Sequence, residues 1–159
     1  MGILDNGVFW AMLGAFMSVF MAGAGSAYGV GFAGQAAAGL ISEEPKKFGQ
    51  TLILQALPGT QGIYGLLTAF IIMLKIGVIG GLVDLTVQQG IYLFVAAQPM
   101  AWGGLFSAIH QGRTAAASIG IVAKHPEETS KGIIYTAMVE TYAILALLVS
   151  FLMVNGLQL

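Results

Sequence analysis

The sequence lacks cysteine and is poor in charge. With no Cys among 159 residues, disulfides, thiolate metal sites and cysteine nucleophiles are all excluded. Charged residues make up 8% of the chain, against about 25% in a typical soluble domain, while 57% of the residues are hydrophobic. This composition excludes a soluble fold, and a net charge of −1 leaves no basic surface for nucleic acid. The sequence therefore predicts an integral membrane protein.

Four long apolar stretches are separated by short polar breaks. They cover approximately residues 7–41, 48–78, 87–123 and 130–155. Each exceeds the roughly 20 residues that a helix needs to cross a bilayer, and each is far longer than a membrane β-strand. The sequence thus predicts an all-α fold with four transmembrane helices.

Most of the charges lie in two of the breaks, residues 43–47 and 124–131. Because Lys and Arg accumulate on the cytoplasmic side of membrane proteins, we expect both loops in the cytoplasm and both termini outside. Lys75, at the far end of the second span, is the one basic residue that disagrees.

The two halves of the chain are related by one constant shift. It aligns positions 23–72 without a gap to positions 104–153, with 14 identities in 50 positions. We interpret this as a duplicated helical hairpin, with the first hairpin in residues 1–79, a connection in 80–87 and the second hairpin in 88–159. Both copies have the same orientation, which suits a ring of like hairpins better than a rocking transporter.

Small residues recur at every fourth position of the first and third spans. Such stripes let helix backbones approach closely in lipid, where large apolar side chains have no advantage over lipid tails. We predict that they form a tightly packed inner layer of a ring; the alternative is ordinary packing inside one compact four-helix protein. The stripe residues expected to pack in the ring are Gly23, Ala27 and Gly31 in the first span and Gly104, Ala108 and Gly112 in the third. The pattern extends to Gly39 in the first span and to Ala116 and Gly120 in the third.

Glu140 is the only carboxylate well inside a predicted span. An ionised carboxylate there costs roughly 2.5–3.5 kcal/mol on insertion scales, so it requires a partner, an ion or a proton. We predict that Glu140 is functional. The alternative is a structural ion pair with Arg113, the other ionisable group at comparable depth.

Neutral oxygen donors accompany this carboxylate in the second and third spans. Pro58 interrupts the helical hydrogen bonds of the second span, so that carbonyl oxygens nearby can turn outward, although a simple packing kink is the alternative. One carboxylate with several neutral oxygens is the composition expected of a site for a hard monovalent cation. The neutral candidates are the Leu57 carbonyl and the side chains of Thr60, Gln61, Tyr64 and Gln111.

Three segments carry a family resemblance: Leu57-Pro-Gly-Thr-Gln-Gly-Ile-Tyr64, Gln111-Gly112 followed by a basic residue, and Met138-Val-Glu-Thr-Tyr-Ala143. With them, the whole chain resembles the proteolipid rotor subunits of sodium-pumping bacterial V/A-type ATPases. The resemblance implies a Na⁺ site formed by the Leu57 carbonyl and the Thr60, Gln61, Gln111 and Glu140 side chains. It also implies that the Tyr64 phenol holds the glutamate in the ion-loaded conformation.

The resemblance further implies a rotor ring of identical subunits in the bilayer. A central stalk would attach to the loops around Pro45 and Pro126, and a stationary a-type subunit would supply an arginine that displaces the ion from Glu140. The subunit would be non-catalytic by itself and need no organic cofactor; the sequence contains no phosphate-binding loop. The alternatives are the same rotor coupled to H⁺, a small secondary transporter, and a purely structural membrane protein.

Overall fold

The computed structural model describes residues 2–159 and is helical, with no strand in that range. The helices are α1 (Gly7–Glu43), α2 (Phe48–Ala56), α3 (Thr60–Lys75), α4 (Val87–Lys124) and α5 (Thr129–Gly156). A short 3₁₀ turn joins α2 to α3, so the two form one crossing. Four segments are long and apolar enough to span a membrane, which confirms the predicted all-α fold of a multi-pass membrane protein.

The ends of the helices follow from local side chains. Asn6 Oδ1 accepts a hydrogen bond of 2.8 Å from the Val8 N–H and caps α1. Thr86 and Gln89 form a capping box at the start of α4. At the end of α3, Gly77 takes a φ of +74°, which a side chain disfavours, and its N–H bonds to the Leu74 carbonyl.

The duplication detected in the sequence is visible in the positions of the helix ends. α1 ends at Glu43 and α4 ends at Lys124, and the shift that aligns the two halves pairs these residues. The same shift pairs the 3₁₀ turns that follow them, Pro45–Lys47 and Pro126–Glu128. The connection between the hairpins runs from the end of α3 at Lys75 to the start of α4 at Val87.

α1 and α4 run parallel and pack against each other along their length, with the α2–α3 crossing against α1 and α5 against α4. Glycines allow this close approach. A Cβ added at Gly14 would lie 2.7 Å from Phe94 Cα, and one added at Gly25 would lie 2.7 Å from Leu105 Cα. Further along, the backbones of Gly29 and Gly112 meet directly.

The two predicted stripes of small residues have different surroundings. Gly104, Ala108 and Gly112 are buried against α1 of the same chain. In contrast, Ala27 is exposed, and Gly23 and Gly31 have nothing within 4 Å of an added Cβ. The surface of α1 that receives α4 is formed by other residues, among them Ala22, Gly25 and Gly29. Inside one chain, therefore, only the stripe of the third span takes part in the packing of one helix against another.

Hydrogen bonds tie the two charged loops together at one end of the molecule. Lys47 Nζ donates to the Ala123 carbonyl at 2.8 Å, and Gln50 Nε2 donates to the Pro126 carbonyl at 3.0 Å. Lys47 also pairs with Glu44 at 2.8 Å. The first and third loops thus form one polar end surface.

We expect Gly112→Leu to disrupt the folded chain, because its side chain would overlap the backbone of Gly29, and the overpacking would cost about 1–3 kcal/mol or more. The measurement is the yield of detergent-soluble chain and its resistance to protease. Gly31→Leu is the matched control, since an added Cβ there meets open space and both quantities should be retained. Equal behaviour of the two variants would contradict the packing described here.

Candidate functional site

The site begins at the break between α2 and α3. Pro58 has no N–H to donate into the helix, and residues Leu57–Gly59 form a 3₁₀ turn. The Leu57 carbonyl accepts the Thr60 N–H, and it lies 3.0 Å from Thr60 Oγ1. The second hairpin has Val139 in place of Pro58, and α5 continues through that position without a break. The break therefore gives the first hairpin an oxygen pair that the second lacks.

Two fully buried amide side chains lie next to this oxygen pair. Gln61 Oε1 is 3.3 Å from Thr60 Oγ1, while Gln61 Nε2 donates to Gln111 Oε1 at 2.5 Å and to Ser107 Oγ at 3.2 Å. Gln111 Nε2 donates to the Thr136 carbonyl at 3.2 Å. Because a buried amide without partners would be costly, these contacts determine the orientation of the terminal amide group in both glutamines.

Glu140 is partly buried on α5, and both of its carboxylate oxygens accept hydrogen bonds. Tyr64 Oη donates to Oε1 at 2.5 Å, and Gln111 Nε2 donates to Oε2 at 3.3 Å. Tyr64 and Gln111 come from different hairpins, so the carboxylate is held across the interface between the two halves of the chain. The structure thus brings all six predicted residues into one connected cluster: Leu57, Thr60, Gln61, Tyr64, Gln111 and Glu140.

The cluster differs from the sequence-based expectation in the orientation of Gln111. The amide nitrogen of Gln111 faces Glu140, and its oxygen accepts from Gln61. For its oxygen to contact an ion beside the carboxylate, the terminal amide of Gln111 would have to rotate. Gln61, in contrast, already directs its oxygen toward Thr60.

Chemically, the cluster consists of oxygen donors: a main-chain carbonyl, a hydroxyl, amide oxygens and one carboxylate. Hard cations prefer such ligands. One carboxylate balances a single positive charge, and no group of three or more His, Asp or Glu side chains able to hold a metal ion occurs in residues 2–159. The residues present fit a monovalent hard cation better than a divalent one.

Arg113 is not part of this cluster. Its guanidinium carbon lies 5.7 Å from the centre of the Phe32 ring, a cation–π arrangement on the exposed side of α1 and α4. In the part of the chain that the structure describes, the ion pairs join Lys47 to Glu44 and Lys131 to Glu128, and His125 Nδ1 lies 3.4 Å from Glu127 Oε1. The alternative of a structural pair between Glu140 and Arg113 is therefore wrong.

Sequence reasoning missed Ser107, which lies between Gln61 and α5. Besides accepting from Gln61, Ser107 Oγ donates to the Val139 carbonyl at 3.0 Å. Two signals were available: Ser107 precedes Gln111 by one helical turn, and the alignment of the two halves pairs it with an identical residue, Ser26. In the first hairpin, Ser26 Oγ accepts the Gly62 N–H at 2.8 Å instead.

Comparison with known proteins agrees with these observations. The family of ATP synthase C subunits matches the chain twice, at residues 13–72 and 94–153. One relative, the "V-type sodium ATPase subunit K" of Enterococcus hirae, is 51% identical over 150 residues, which cover 94% of this chain and 93% of the relative. Another, the "A-type ATP synthase subunit K" of Methanocaldococcus jannaschii, is 38% identical over 144 residues, or 91% of this chain and 61% of the relative.

The two family matches, which begin at residues 13 and 94, are offset by the same shift that relates the two halves of the sequence and the ends of their helices. Together they cover most of the chain. This chain therefore belongs to the family of ATP synthase C subunits and contains two copies of the family's helical hairpin.

Proposed function

We propose that the chain is an ion-carrying rotor-ring subunit of a rotary V/A-type ATPase and that it carries Na⁺. The observation that carries the proposal is the connected cluster at the hairpin interface. The Glu140 carboxylate accepts a hydrogen bond from the Gln111 amide. The Gln61 amide links Gln111 to the Thr60 hydroxyl. The relative from Enterococcus hirae, named as a subunit of a sodium ATPase, supports the choice of ion. The chain itself is a non-catalytic membrane subunit.

The number of neutral oxygens supports Na⁺ over H⁺. A proton needs the carboxylate and little else, whereas a sodium ion needs donors that replace its water shell. In the proposed site, the Thr60 hydroxyl lies 3.0 Å from the Leu57 carbonyl and 3.3 Å from the Gln61 oxygen, so that one ion could contact all three. Gln111 joins them by rotation of its amide, and Glu140 supplies the charge.

The hydrogen bond from Tyr64 supports the proposal that this residue holds the Glu140 carboxylate in place. Its hydroxyl has one proton, and that proton is directed at Glu140 Oε1. This bond draws the carboxylate toward the α2–α3 crossing, where Thr60 and Gln61 lie. We therefore assign Tyr64 the role of keeping Glu140 in the ion-binding position.

The internal repeat supports a ring. Within the chain, the stripe of α4 packs on Ala22 and Gly29 of α1. These two belong to a buried set of first-hairpin residues: Ala22, Gly25, Ser26, Gly29, Pro58 and Gln61. The equivalent positions of the second hairpin line an open groove, formed by Gly103, Phe106, Ser107, His110, Val139 and Tyr142.

The stripe of the first span is correspondingly left open within its own chain: Ala27 is exposed, and a Cβ added at Gly23 or Gly31 meets nothing within 4 Å. We assign the groove of one chain to the stripe of the next. Such a head-to-tail contact, repeated with a closing rotation, generates a ring.

In the assembled ATPase, the coupling would proceed by rotation. ATP hydrolysis in other subunits turns a central stalk, which we propose is attached to the end surface formed by the loops at 43–47 and 124–131. Each chain in turn meets a stationary a-type subunit, where an arginine displaces the ion from Glu140. Away from that subunit, the bound ion neutralises Glu140 against lipid. We assign both loops to the cytoplasm and both termini to the outside, following the distribution of Lys and Arg.

The proposed site predicts competition between sodium and protons at Glu140. Sodium should protect Glu140 from a carboxyl-reactive carbodiimide, and the half-protecting concentration should rise by up to about tenfold for each pH unit lowered, because protons occupy the same carboxylate. Thr60→Ala should leave the carboxyl reactive but reduce its protection. Glu140→Gln should abolish both labelling and transport. Labelling of the purified complex that ignores sodium at every pH would eliminate Na⁺ and leave the proton-coupled rotor.

Tyr64→Phe should weaken sodium retention without dismantling the chain. Loss of a hydrogen bond to a charged group costs about 1.5–3 kcal/mol, or roughly a tenfold to hundredfold decrease in sodium affinity. The affinity can be measured by calorimetry or ²²Na binding. Tyr135→Phe, at an exposed tyrosine of α5, is the control and should bind as the unmodified chain does. Unchanged affinity in Tyr64→Phe would refute the holding role.

Gly31→Leu should prevent assembly of the ring. The leucine side chain would project from the open stripe into the groove of the neighbouring chain and prevent close packing there. Within its own chain, an added Cβ at Gly31 meets nothing within 4 Å. Native mass spectrometry of the detergent-extracted protein should detect folded but dissociated chains. The control is Gly39→Leu, nearer the loop on the same face of α1. Its counterpart in α4, Gly120, meets nothing within 4 Å of an added Cβ in its own chain, so Gly39→Leu should retain the ring. An intact ring in Gly31→Leu would contradict the assigned interface.

A further inference from the structure

Ser107 connects the buried amide of Gln61 to α5. Only 6% of Ser107 is exposed. Its hydroxyl has a single proton, which is donated to the Val139 carbonyl at 3.0 Å. Toward Gln61 Nε2, at 3.2 Å, Ser107 Oγ therefore acts as an acceptor.

This arrangement decides which end of the Gln61 amide faces the site. The amide nitrogen has two protons, and they are taken by Ser107 Oγ and Gln111 Oε1. If the amide were reversed, its oxygen would face two oxygens whose protons are absent or already donated elsewhere. The observed orientation leaves Gln61 Oε1 pointing at Thr60 Oγ1, 3.3 Å away.

The two acceptors are not equivalent. The Gln111 oxygen is itself an ion ligand in the proposed site, and when it turns to the ion it leaves the Gln61 nitrogen. Ser107 is the acceptor that remains, because its oxygen has no part in the proposed ligand set. Its own position is held by a carbonyl of α5, the helix that carries Glu140.

We propose that Ser107 is a positioning residue of the sodium site, and that it holds the Gln61 amide with its oxygen toward the ion. This inference rests on the proposed sodium function. Ser107 acts through Gln61 and does not itself contact the ion. Its removal should therefore change sodium binding while leaving the reactivity of Glu140 unaltered.

Ser118 provides a matched control. It also lies on α4, is 4% exposed and donates from its hydroxyl to an α5 carbonyl, that of Gly132 at 3.3 Å. Among the hydrogen bonds within residues 2–159, none joins Ser118 to Gln61 or Gln111. Ser118→Ala thus removes the same kind of contact between the same two helices without touching the Gln61 amide.

The experiment is carbodiimide labelling of Glu140 in the purified complex, titrated with sodium. Ser107→Ala should raise the half-protecting sodium concentration roughly two- to tenfold, the range for one hydrogen bond, with labelling in sodium-free buffer unchanged. Ser118→Ala should titrate as the unmodified chain. Because Ser107 acts through Gln61, the double variant Ser107→Ala with Gln61→Ala should be no weaker than Gln61→Ala alone.

Two results would overturn the positioning role. One is sodium protection in Ser107→Ala equal to that of the unmodified chain; the other is effects of Ser107→Ala and Gln61→Ala that simply add. Absence of sodium protection in the unmodified chain is a different outcome, which would overturn the sodium site and this inference with it.

Discussion

A carboxylate within the membrane is the constraint on which the rest of this structure depends. Glu140 lies on a helix that spans the bilayer, where an uncompensated negative charge is strongly unfavourable. The Glu140 carboxylate accepts two hydrogen bonds from the protein, one from Tyr64 on α3 and one from Gln111 on α4. These bonds lower the cost but do not cancel the charge. A cation or a proton must complete the compensation, and that requirement makes the residue suitable for carrying ions.

The neighbourhood of Glu140 depends on a difference between the two hairpins. The two halves repeat one helical hairpin, but Pro58 interrupts only the α2–α3 crossing, and only α5 carries the acid, since Gly59 stands at the position equivalent to Glu140. The first half thus supplies the neutral oxygens of Leu57, Thr60 and Gln61, and the second half supplies the charge together with the Gln111 amide. Because neither half is complete, a single site forms where they meet, and the packing of α4 between α3 and α5 controls its geometry.

That packing in turn depends on small residues. Gly29 and Gly112 allow the backbones of α1 and α4 to touch, which sets the depth and rotation of α4 and so directs Gln111 and Ser107 toward the site. The same kind of stripe on α1 is left open, at Gly23, Ala27 and Gly31. Duplication therefore explains why the stripe of α4 packs inside the chain while a stripe of similar composition on α1 remains free. We assign the free stripe to the contact with the neighbouring subunit.

The sequence by itself determined the four spans, the internal repeat and the residue types of the site. These features follow from composition and spacing along the chain: long apolar runs have few alternatives in a membrane, Pro58 removes a backbone donor from its helix, and Glu140 cannot lie in lipid without compensation. Helical periodicity also placed Thr60, Gln61 and Tyr64 near one face. Only the tertiary structure decided what depends on the rotation and depth of one helix against another.

The packing of the helices separated Arg113 from Glu140 and set the guanidinium over Phe32, although the sequence places both charged groups at comparable depth within their predicted spans. It turned the nitrogen of Gln111 rather than its oxygen toward the carboxylate, and it brought in Ser107. It also placed Gly25 and Gly29 on the face of α1 that meets α4 and left the stripe of Gly23, Ala27 and Gly31 open. A helix with small residues on two faces leaves that choice open, and only the partner helix resolves it.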